Sequence, residues 1–158
     1  LALNHSYRMK SYRDLDIFQD AKRLAIEVHN VSLTLPKFEL YEEGSQIRRS
    51  SKAVVAMIVE GYGRKRYKAD YIKHLVYAQT ECDETILHLD FLIETGSLPD
   101  AKNGHRLKTE YVSLSKRLNT FIQWVDESFK SKGQPGSDDR KKMRKQNKLD
   151  EDLSQYVL

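Results

Sequence analysis

The hydrophobic and polar positions of this chain follow the period of an α-helix in four successive stretches. These stretches cover about residues 14–35, 45–62, 70–95 and 100–129. Within each stretch, apolar residues recur at steps of three and four and therefore fall on one face of a helix. None of the stretches alternates at every second position, as a half-buried strand does. The pattern predicts four amphipathic helices and no sheet.

Proline, glycine and small polar residues mark where these predicted helices begin and end. Pro36 closes the first helix, because the residue before a proline avoids the helical region. Ser45 and Asp100 are expected to cap the second and fourth helices. Gly96 is expected to end the third. Four helices with short connections predict an all-α fold, an up-down-up-down four-helix bundle.

Each predicted helix carries one stripe of mostly apolar residues that is expected to face the core. The fourth stripe alternates steps of four and three, which is typical of a bundle helix. The four stripes consist of Phe18, Ala21, Leu24, Ala25, Val28, Val31 and Leu35; Ile47, Ser51, Val54, Ile58 and Tyr62; Tyr71, Leu75, Ala78, Cys82, Ile86, Leu89 and Ile93; and Leu107, Tyr111, Leu114, Leu118, Phe121, Val125 and Phe129.

The two ends of the chain differ from the predicted bundle, which covers residues 12–130. The first methionine is Met9, so residues 1–11 are interpreted as a leader or a cloning remnant outside the fold. Residues 131–158 are rich in charge and poor in apolar side chains, which predicts a disordered basic tail. A four-residue apolar step at its end leaves two alternatives, a short terminal helix or a frayed end. The residues at that step are Leu149, Leu153 and Val157.

Charge and cysteine content limit where the protein acts. The 27 basic and 23 acidic residues give a net charge of +4, so the chain as a whole is only weakly basic. It has no run of about 18 apolar residues, the length that a membrane-spanning helix needs, and no secretory leader pattern. Its single cysteine, Cys82, cannot form an internal disulfide. We therefore expect a soluble protein of the reducing cytoplasm, with no membrane partner.

Residues for catalysis or metal binding are missing from the usual positions. Helical bundles often hold metal ions between Glu-x-x-His pairs, and none of the five histidines here follows a glutamate at that spacing. Glu84 and His88 are four positions apart, which is more often a surface contact than a metal site. Cys82 lies on the inward stripe of the third helix and is interpreted as a core residue. With no nucleophile beside a base, we expect no enzymatic activity, no metal and no cofactor.

Residues 60–68, EGYGRKRYK, combine two glycines with a dense basic cluster. A dinucleotide-binding loop would need a third glycine at position 66 and a preceding strand, and the sequence provides neither. Gly61 and Gly63 fit the end of the second helix, where glycine permits termination or a close helix approach. Basic residues at that end also complement the helix dipole.

The basic cluster extends back along the second helix. Residues 48–68 contain seven basic residues and one acid, Glu60. Arg48 and Lys52 are one turn apart and share a helical face. Two interpretations stay open: an ordinary salt-bridged surface, or a phosphate-binding stripe with interleaved tyrosines that stack on bases. The seven candidate nucleic-acid-binding residues are Arg48, Arg49, Lys52, Arg64, Lys65, Arg66 and Lys68.

The stretch SQIRRSSKAVVAMIVEGYGR, residues 45–64, resembles the signature of the four-helix bundle proteins encoded in intervening sequences of bacterial 23S rRNA genes. That signature has Gln-hydrophobic-Arg-Arg, then roughly Asn-Ile-Ala-Glu-Gly-hydrophobic-x-Arg. The downstream stretch YIKHLVYAQTECDETILHLDFLIETG places Glu84 at the family's acidic position, and YRDLDIF and the Leu-Pro pair before Lys37 match upstream. The matching signature residues are Gln46, Ile47, Arg48, Arg49, Ile58, Val59, Glu60, Gly61, Tyr62 and Arg64.

The resemblance covers residues 12–130 and includes three departures. Met57 stands where the family has asparagine, and Glu81 stands where serine is common. Residues 42–44 replace a Gly-Leu pair. The missing asparagine weakens any function that needs its polar group, whereas the expected fold does not depend on it.

The resemblance implies a non-enzymatic bundle that assembles into a ring-like homo-oligomer, expected to be a pentamer. A related group, the accessory variability proteins of diversity-generating retroelements, is similar to a basic pentameric bundle that binds reverse transcriptase and nucleic acid. This relation favours nucleic-acid binding, with RNA preferred and DNA as the alternative. A ring would repeat the phosphate contacts, so affinity should fall steeply with salt.

The alternative hypothesis is a protein-interaction scaffold that binds no nucleic acid. In that case Arg49 and Glu60 would contact a second subunit or a protein partner, and the tail would recruit a partner. The residues assigned to inter-subunit or structural roles are Glu60, Gly61, Tyr62 and Glu84.

Overall fold

The computed structural model describes residues 11–132, with side chains up to residue 130. All regular elements in this part of the chain are helical. After one 3-10 turn at Tyr12–Asp14, the helices are α1 (Asp16–Ser32), α2 (Lys37–Tyr41), α3 (Glu43–Gly63), α4 (Lys68–Glu94) and α5 (Ala101–Lys132). The four long helices confirm the predicted all-α fold. All of the predicted leader except Ser11, which caps the 3-10 turn, and almost all of the predicted tail lie outside the described residues.

Most of the predicted helix boundaries agree with the structure. Asp100 caps α5 as predicted, because its carboxylate accepts a hydrogen bond of 3.0 Å from the backbone N–H of Asn103. Gly96 follows α4 with a φ of 70°, a left-handed conformation that suits glycine. The prediction for Ser45 is wrong: α3 begins at Glu43, so Ser45 lies inside the helix.

The short helix α2 was not predicted from the sequence. It consists of five residues, Lys37–Tyr41, and follows Pro36. Five residues are too few for a periodic apolar stripe, so the pattern gave no signal here. The first long helix also ends three residues before the predicted limit, at Ser32. The chain therefore turns before Pro36 and makes an extra helical step between the first two long helices.

Side-chain pairs show that neighbouring long helices run antiparallel. In each helix pair, residue numbers rise along one helix as they fall along the other, which is consistent with an up-down-up-down bundle. The pairs are Asp20 with Arg117 and Glu27 with Arg106 between α1 and α5, Arg49 with Glu84 and Glu60 with His74 between α3 and α4, and Lys68 with Asp126 and Asp90 with Lys108 between α4 and α5.

The core follows most of the predicted stripes. Leu24, Val54, Leu75 and Leu114 are completely buried, one from each long helix. In α4, however, the buried face is rotated slightly from the prediction. Ile86 and Ile93 are only partly buried, whereas their neighbours Thr85 and Leu92 lie inside. The Thr85 hydroxyl is satisfied there because it donates to the carbonyl of Glu81 at 2.8 Å.

The chain divides into two units, one that ends at Asp126 and one that begins at Glu127. The first unit contains most of the four long helices. Of the second, the structure describes only the end of α5, residues 127–132. Among the described helices, none is both long and apolar enough to cross a membrane.

Candidate nucleic-acid interface

The turn between α3 and α4, residues 64–67, presents three adjacent basic side chains to solvent. We call these residues, Arg64, Lys65 and Arg66, the basic turn. All three are exposed. The backbone N–H of Arg64 donates to the carbonyls of Glu60 and Gly61, which closes α3. The helix thus ends directly at the cluster, and the cations lie beside the negative end of its dipole.

The basic turn has few acidic neighbours within the described part of the chain. No ion pair is formed there by Arg64 or Arg66, while Lys65 places its Nζ 3.6 Å from the centroid of the Tyr62 ring. Lys68, one turn into α4, differs because it pairs with Asp126 at 2.7 Å. A phosphate group could therefore approach the basic turn without displacing a carboxylate.

The two glycines before the turn have different roles. A Cβ atom added to Gly61 would lie 3.1 Å from the Cβ of His74 and 3.3 Å from the ring of Tyr71, so Gly61 permits a close approach of α3 to α4. A Cβ atom added to Gly63 would meet nothing within 4 Å. The predicted close helix approach is therefore confirmed for Gly61 alone.

A further basic residue, Arg13, belongs to this end of the bundle. Tyr12 packs edge-on against Tyr62 with ring centroids 6.3 Å apart, which brings the 3-10 turn to the end of α3. The exposed guanidinium of Arg13 lies over the Tyr12 ring at 5.2 Å. Sequence reasoning missed Arg13 because it precedes Tyr62 by almost fifty positions, and only the bundle brings the two regions together.

Glu60, the single acid in the basic stretch, has a partner on α4. Its carboxylate lies 3.5 Å from Nε2 of His74, and about half of its side chain is exposed. Nδ1 of His74 lies 2.7 Å from the carbonyl of Asp70. Because a carbonyl only accepts, Nδ1 carries the proton and donates it. Glu60 thus has a contact within the chain, and its predicted role between subunits stays a prediction.

Arg48 holds three helices together instead of facing solvent. Its guanidinium donates to the hydroxyl of Ser32 at 3.0 Å and to the carbonyl of Leu40 at 2.9 Å. These bonds connect the ends of α1 and α2 to α3. A Cβ atom on Gly44 would lie 3.1 Å from Nη1 of Arg48, so the guanidinium also lies close to that glycine. The side chain is already satisfied by the protein and contributes little to a phosphate site.

Arg49 is exposed but is paired with carboxylates on α4. Its guanidinium lies 3.2 Å from Glu84, whose carboxylate also lies 3.5 Å from Nε2 of His88. Nδ1 of His88 lies 2.7 Å from a carboxylate oxygen of Glu43. The sequence pair Glu84 and His88 is thus part of a polar network between α3 and α4.

Glu81 lies close to this network on α4. Burial and the nearby charge of Glu84 raise the pKa of its carboxyl, and the guanidinium of Arg49 partly opposes them. One of its carboxylate oxygens is buried and has no hydrogen-bond partner in the described structure. The first half of α3 therefore faces a surface crowded with carboxylates.

Lys52, the last of the seven predicted cations, lies at the edge of a groove between α1 and α3. Its Nζ is 3.4 Å from Nδ1 of His29. The groove has a volume of about 520 Å³, and its walls include Lys22, Ile26 and Val55. Lys52 therefore faces a different surface from the basic turn.

The structure divides the predicted basic stripe into two groups. Arg49 and Arg64 are fifteen residues apart on one helix, which corresponds to about 22 Å along its axis. Near residue 49, Arg49 pairs with Glu84 and Arg48 donates to Ser32 and Leu40, whereas the cations at residues 64–66 are exposed and form no ion pair within the described residues. Of the predicted site, the basic turn is the part that is free to contact an external phosphate.

The remaining candidate chemistry is explained by packing. Cys82 is completely buried, as predicted, and its thiol donates to the carbonyl of Tyr111 at 3.3 Å. Burial raises the pKa of this thiol to about 12, so it carries its proton at neutral pH. Within residues 11–132, no cluster of three or more metal-binding side chains is found.

Comparisons with known proteins agree with the resemblance seen in the sequence. A model of the family described as 23S rRNA-intervening sequence protein matches residues 13–120. Three solved chains match, among them the crystal structure of a protein of unknown function from the S23 ribosomal protein family of Bacteroides thetaiotaomicron. It is 22% identical to this chain, with a TM-score of 0.61, and the match covers 68% of this chain and 95% of that one. At this identity the likeness shows the fold alone. No curated protein matches the chain.

Proposed function

The chain belongs to the family of 23S rRNA-intervening sequence proteins, and we propose that it is a non-enzymatic homo-oligomer that binds nucleic acid through the basic turn. RNA is the preferred ligand and DNA the alternative. The cytoplasm, where nucleic acid is accessible and Cys82 stays reduced, is the proposed location.

One observation carries this proposal: three adjacent cations are exposed without an acidic partner. Several other arginines of the described bundle lie near carboxylates, as Arg49 does near Glu84 and Arg117 does near Asp20. Arg64 and Arg66 form no such pair among residues 11–132, and Arg13 adds a further positive charge at the same end of the bundle. Charge of this kind binds the phosphate backbone and carries no base code.

An oligomer would multiply this modest charge. Three cations on one chain bind weakly at physiological salt, whereas a ring presents the same three on every subunit. When several such patches engage one polynucleotide, the affinity rises far above that of a single patch. We propose a ring of five chains, as the family resemblance implies. Light scattering on the purified protein would give its mass.

The experiment that tests nucleic-acid binding is a salt series of fluorescence anisotropy. Labelled RNA and DNA of the same sequence are titrated with the parent protein and with the triple variant Arg64→Gln, Lys65→Gln and Arg66→Gln. We expect tight, salt-dependent RNA binding by the parent. The triple variant should lose at least tenfold in affinity, and its salt slope should fall by about 2 for each subunit whose basic turn contacts single-stranded RNA.

A second triple variant controls for net charge. The variant with Lys37→Gln, Lys102→Gln and Lys116→Gln removes three positive charges from exposed positions away from the basic turn. This variant should bind RNA nearly as well as the parent. If both triple variants lose affinity equally, the charge of the whole molecule is responsible and not the basic turn. If the parent binds neither RNA nor DNA at low salt, the proposed function is wrong.

A further inference from the structure

Helix α4 has a second apolar stripe that faces away from the core. Val76, Leu87 and Phe91 are between 42% and 50% exposed. The steps between them are eleven and four residues, which places all three within about 60° of one another around the helix. We call these three residues the α4 ridge. Thr80 and Asp83 lie in the same sector between Val76 and Leu87, so the continuous apolar part is Leu87 and Phe91, one turn apart, which we interpret as a contact surface for another protein chain.

The half of α4 that carries most of the ridge is strongly acidic. Residues 81–94 contain five acidic residues and no lysine or arginine. Leu87 and Phe91 lie in this segment. Glu94, one turn beyond Phe91, is exposed. Two of the five acids pair with basic residues on other helices, so Asp83 and Glu94 supply most of the negative charge beside the ridge.

The groove between α1 and α3 offers an apolar surface of matching polarity. Its volume is about 520 Å³, and its apolar lining consists of Ala25, Ile26, Val55 and Ala56. The Ile26 side chain is 53% exposed although it lies in the middle of a helix. Two alanines in the lining leave room for the side chains of a third helix to enter between α1 and α3.

The groove also has the complementary charge. Lys22 and Lys52 line it together with His29. Neither lysine forms an ion pair with a carboxylate within the described residues, and Nζ of Lys52 contacts only Nδ1 of His29, at 3.4 Å. A helix with apolar side chains in its centre and acids on its flanks would match this groove in both polarity and charge.

We propose that the α4 ridge of one copy of the chain lies in the α1–α3 groove of the next copy. This inference rests on the oligomer in the proposed function and names the two surfaces that form it. Ridge and groove are on different helices, so the contact is heterologous: each subunit offers a ridge to one neighbour and a groove to the other. Such a contact closes into a ring when the rotation between subunits permits it.

The test uses one variant that disables each surface. The groove variant is Ile26→Asp, and the ridge variant is Leu87→Asp with Phe91→Asp. All three positions are about half exposed in the single chain, so the substitutions should leave its fold intact. Phe38→Asp is the matched control, because Phe38 is 70% exposed on α2 and belongs to neither surface. Light scattering gives the mass, and circular dichroism checks that each variant is folded.

A mixing step distinguishes this arrangement from a symmetric dimer. Alone, the groove variant and the ridge variant should each have the mass of one chain, 18.5 kDa, while the parent and Phe38→Asp are larger. Mixed in equal amounts, the two variants should form a heterodimer, because one still has a ridge and the other still has a groove. No further growth is expected, since each heterodimer has only disabled surfaces left.

Three outcomes would overturn the inference. The parent could have the mass of a single chain, the folded variants could keep the parent's mass, or the mixture could stay monomeric. RNA binding measured on the same samples separates the two proposals. If the variants keep both the parent's mass and its RNA affinity, the interface is wrong while the proposed function stands. If the parent is a monomer that binds no nucleic acid, both are wrong.

Discussion

The two ends of α3 have similar basic sequences but opposite environments. Arg48 and Arg49 stand near the beginning of the helix, and the basic turn of residues 64–66 follows its end. The first pair is held by contacts with α1, α2 and α4. The second group faces solvent. Similar local charge therefore serves packing at one end of the helix and remains available for a ligand at the other.

The difference lies in the partners that the bundle supplies. The beginning of α3 lies beside the acidic half of α4, the Ser32 hydroxyl at the end of α1 and the Leu40 carbonyl of α2. The end of α3 lies beside the first turns of α4, where Asp70 is the only acid. Helix order, and not the spacing of arginines along the sequence, decides which cations are neutralised.

Replacing an arginine at each end of α3 should have very different effects on the free energy of unfolding. Arg48→Met removes the two hydrogen bonds that the charged guanidinium donates, and it leaves the Leu40 carbonyl without this partner. We expect it to lower the free energy of unfolding by about 3 kcal/mol. Arg64→Met, at the exposed end, should change it by less than about 0.5 kcal/mol. Urea denaturation of both variants measures the difference, and equal losses would contradict it.

Replacing glycine by alanine should change the unfolding free energy in opposite directions at the two ends of α3. A Cβ on Gly44 would lie 2.9 Å from the backbone carbonyl oxygen of Glu39, so Gly44→Ala forces α2 and α3 apart. We expect a loss of about 2 kcal/mol in unfolding free energy. Gly63→Ala meets no atom within 4 Å and should gain about 0.5 kcal/mol from its helix propensity. Thermal unfolding would show the two shifts, and a stabilising Gly44→Ala would refute the close packing.

Single-charge substitutions should separate the two groups in RNA binding. Arg66→Gln should weaken binding a few-fold and lower the salt slope by about 0.7, the value for one lost phosphate contact, for each subunit that contacts the single strand. Arg49→Gln removes the same charge but should leave the slope unchanged, because its guanidinium is already paired with Glu84. Anisotropy at several salt concentrations is the measurement. A drop in slope for both variants would mean that the two groups bind together.

The smallest effect is a pH dependence at the acid-rich end. The pKa of Glu81 is raised above its ordinary value of 4.5, so the folded protein holds this proton more tightly than the unfolded chain. Its contribution to stability is complete below pH 4.5 and is lost as pH rises through the raised pKa. Glu81→Gln should therefore be more stable than the parent at neutral pH, and the advantage should vanish below pH 4.5.

Arg49 provides a check on this effect. Its guanidinium lowers the pKa of Glu81, so Arg49→Gln should raise that pKa. The stability that is lost between acidic and neutral pH should then be larger than in the parent. Urea denaturation at acidic and neutral pH measures both variants. If Glu81→Gln has the same effect at each pH, the carboxyl is not perturbed by burial.

Periodicity in the amino-acid sequence predicted the four long helices and most of their buried faces. Apolar steps of three and four predict a helix because they bury one face, and this local geometry needs no knowledge of the partner. Boundary signals such as the Asp100 side-chain cap and the left-handed backbone of Gly96 act within a few residues of the chain and were predicted correctly. Where the signal was short or ambiguous, as in α2 and at Ser45, the prediction failed. The family motifs are contiguous in sequence and could be recognised for the same reason.

Which charged residues remain available to bind a ligand depends on the tertiary structure. Arg48 and Arg66 are the same residue type in the same basic stretch, yet one donates to Ser32 and Leu40 and the other is exposed. Arg13 lies at the same end of the bundle as the basic turn because Tyr12 packs on Tyr62. An ion pair or a hydrogen bond depends on distances between helices, and those distances follow from packing the whole core. Local sequence specifies a helical face, but the neighbour across that face is set by the fold.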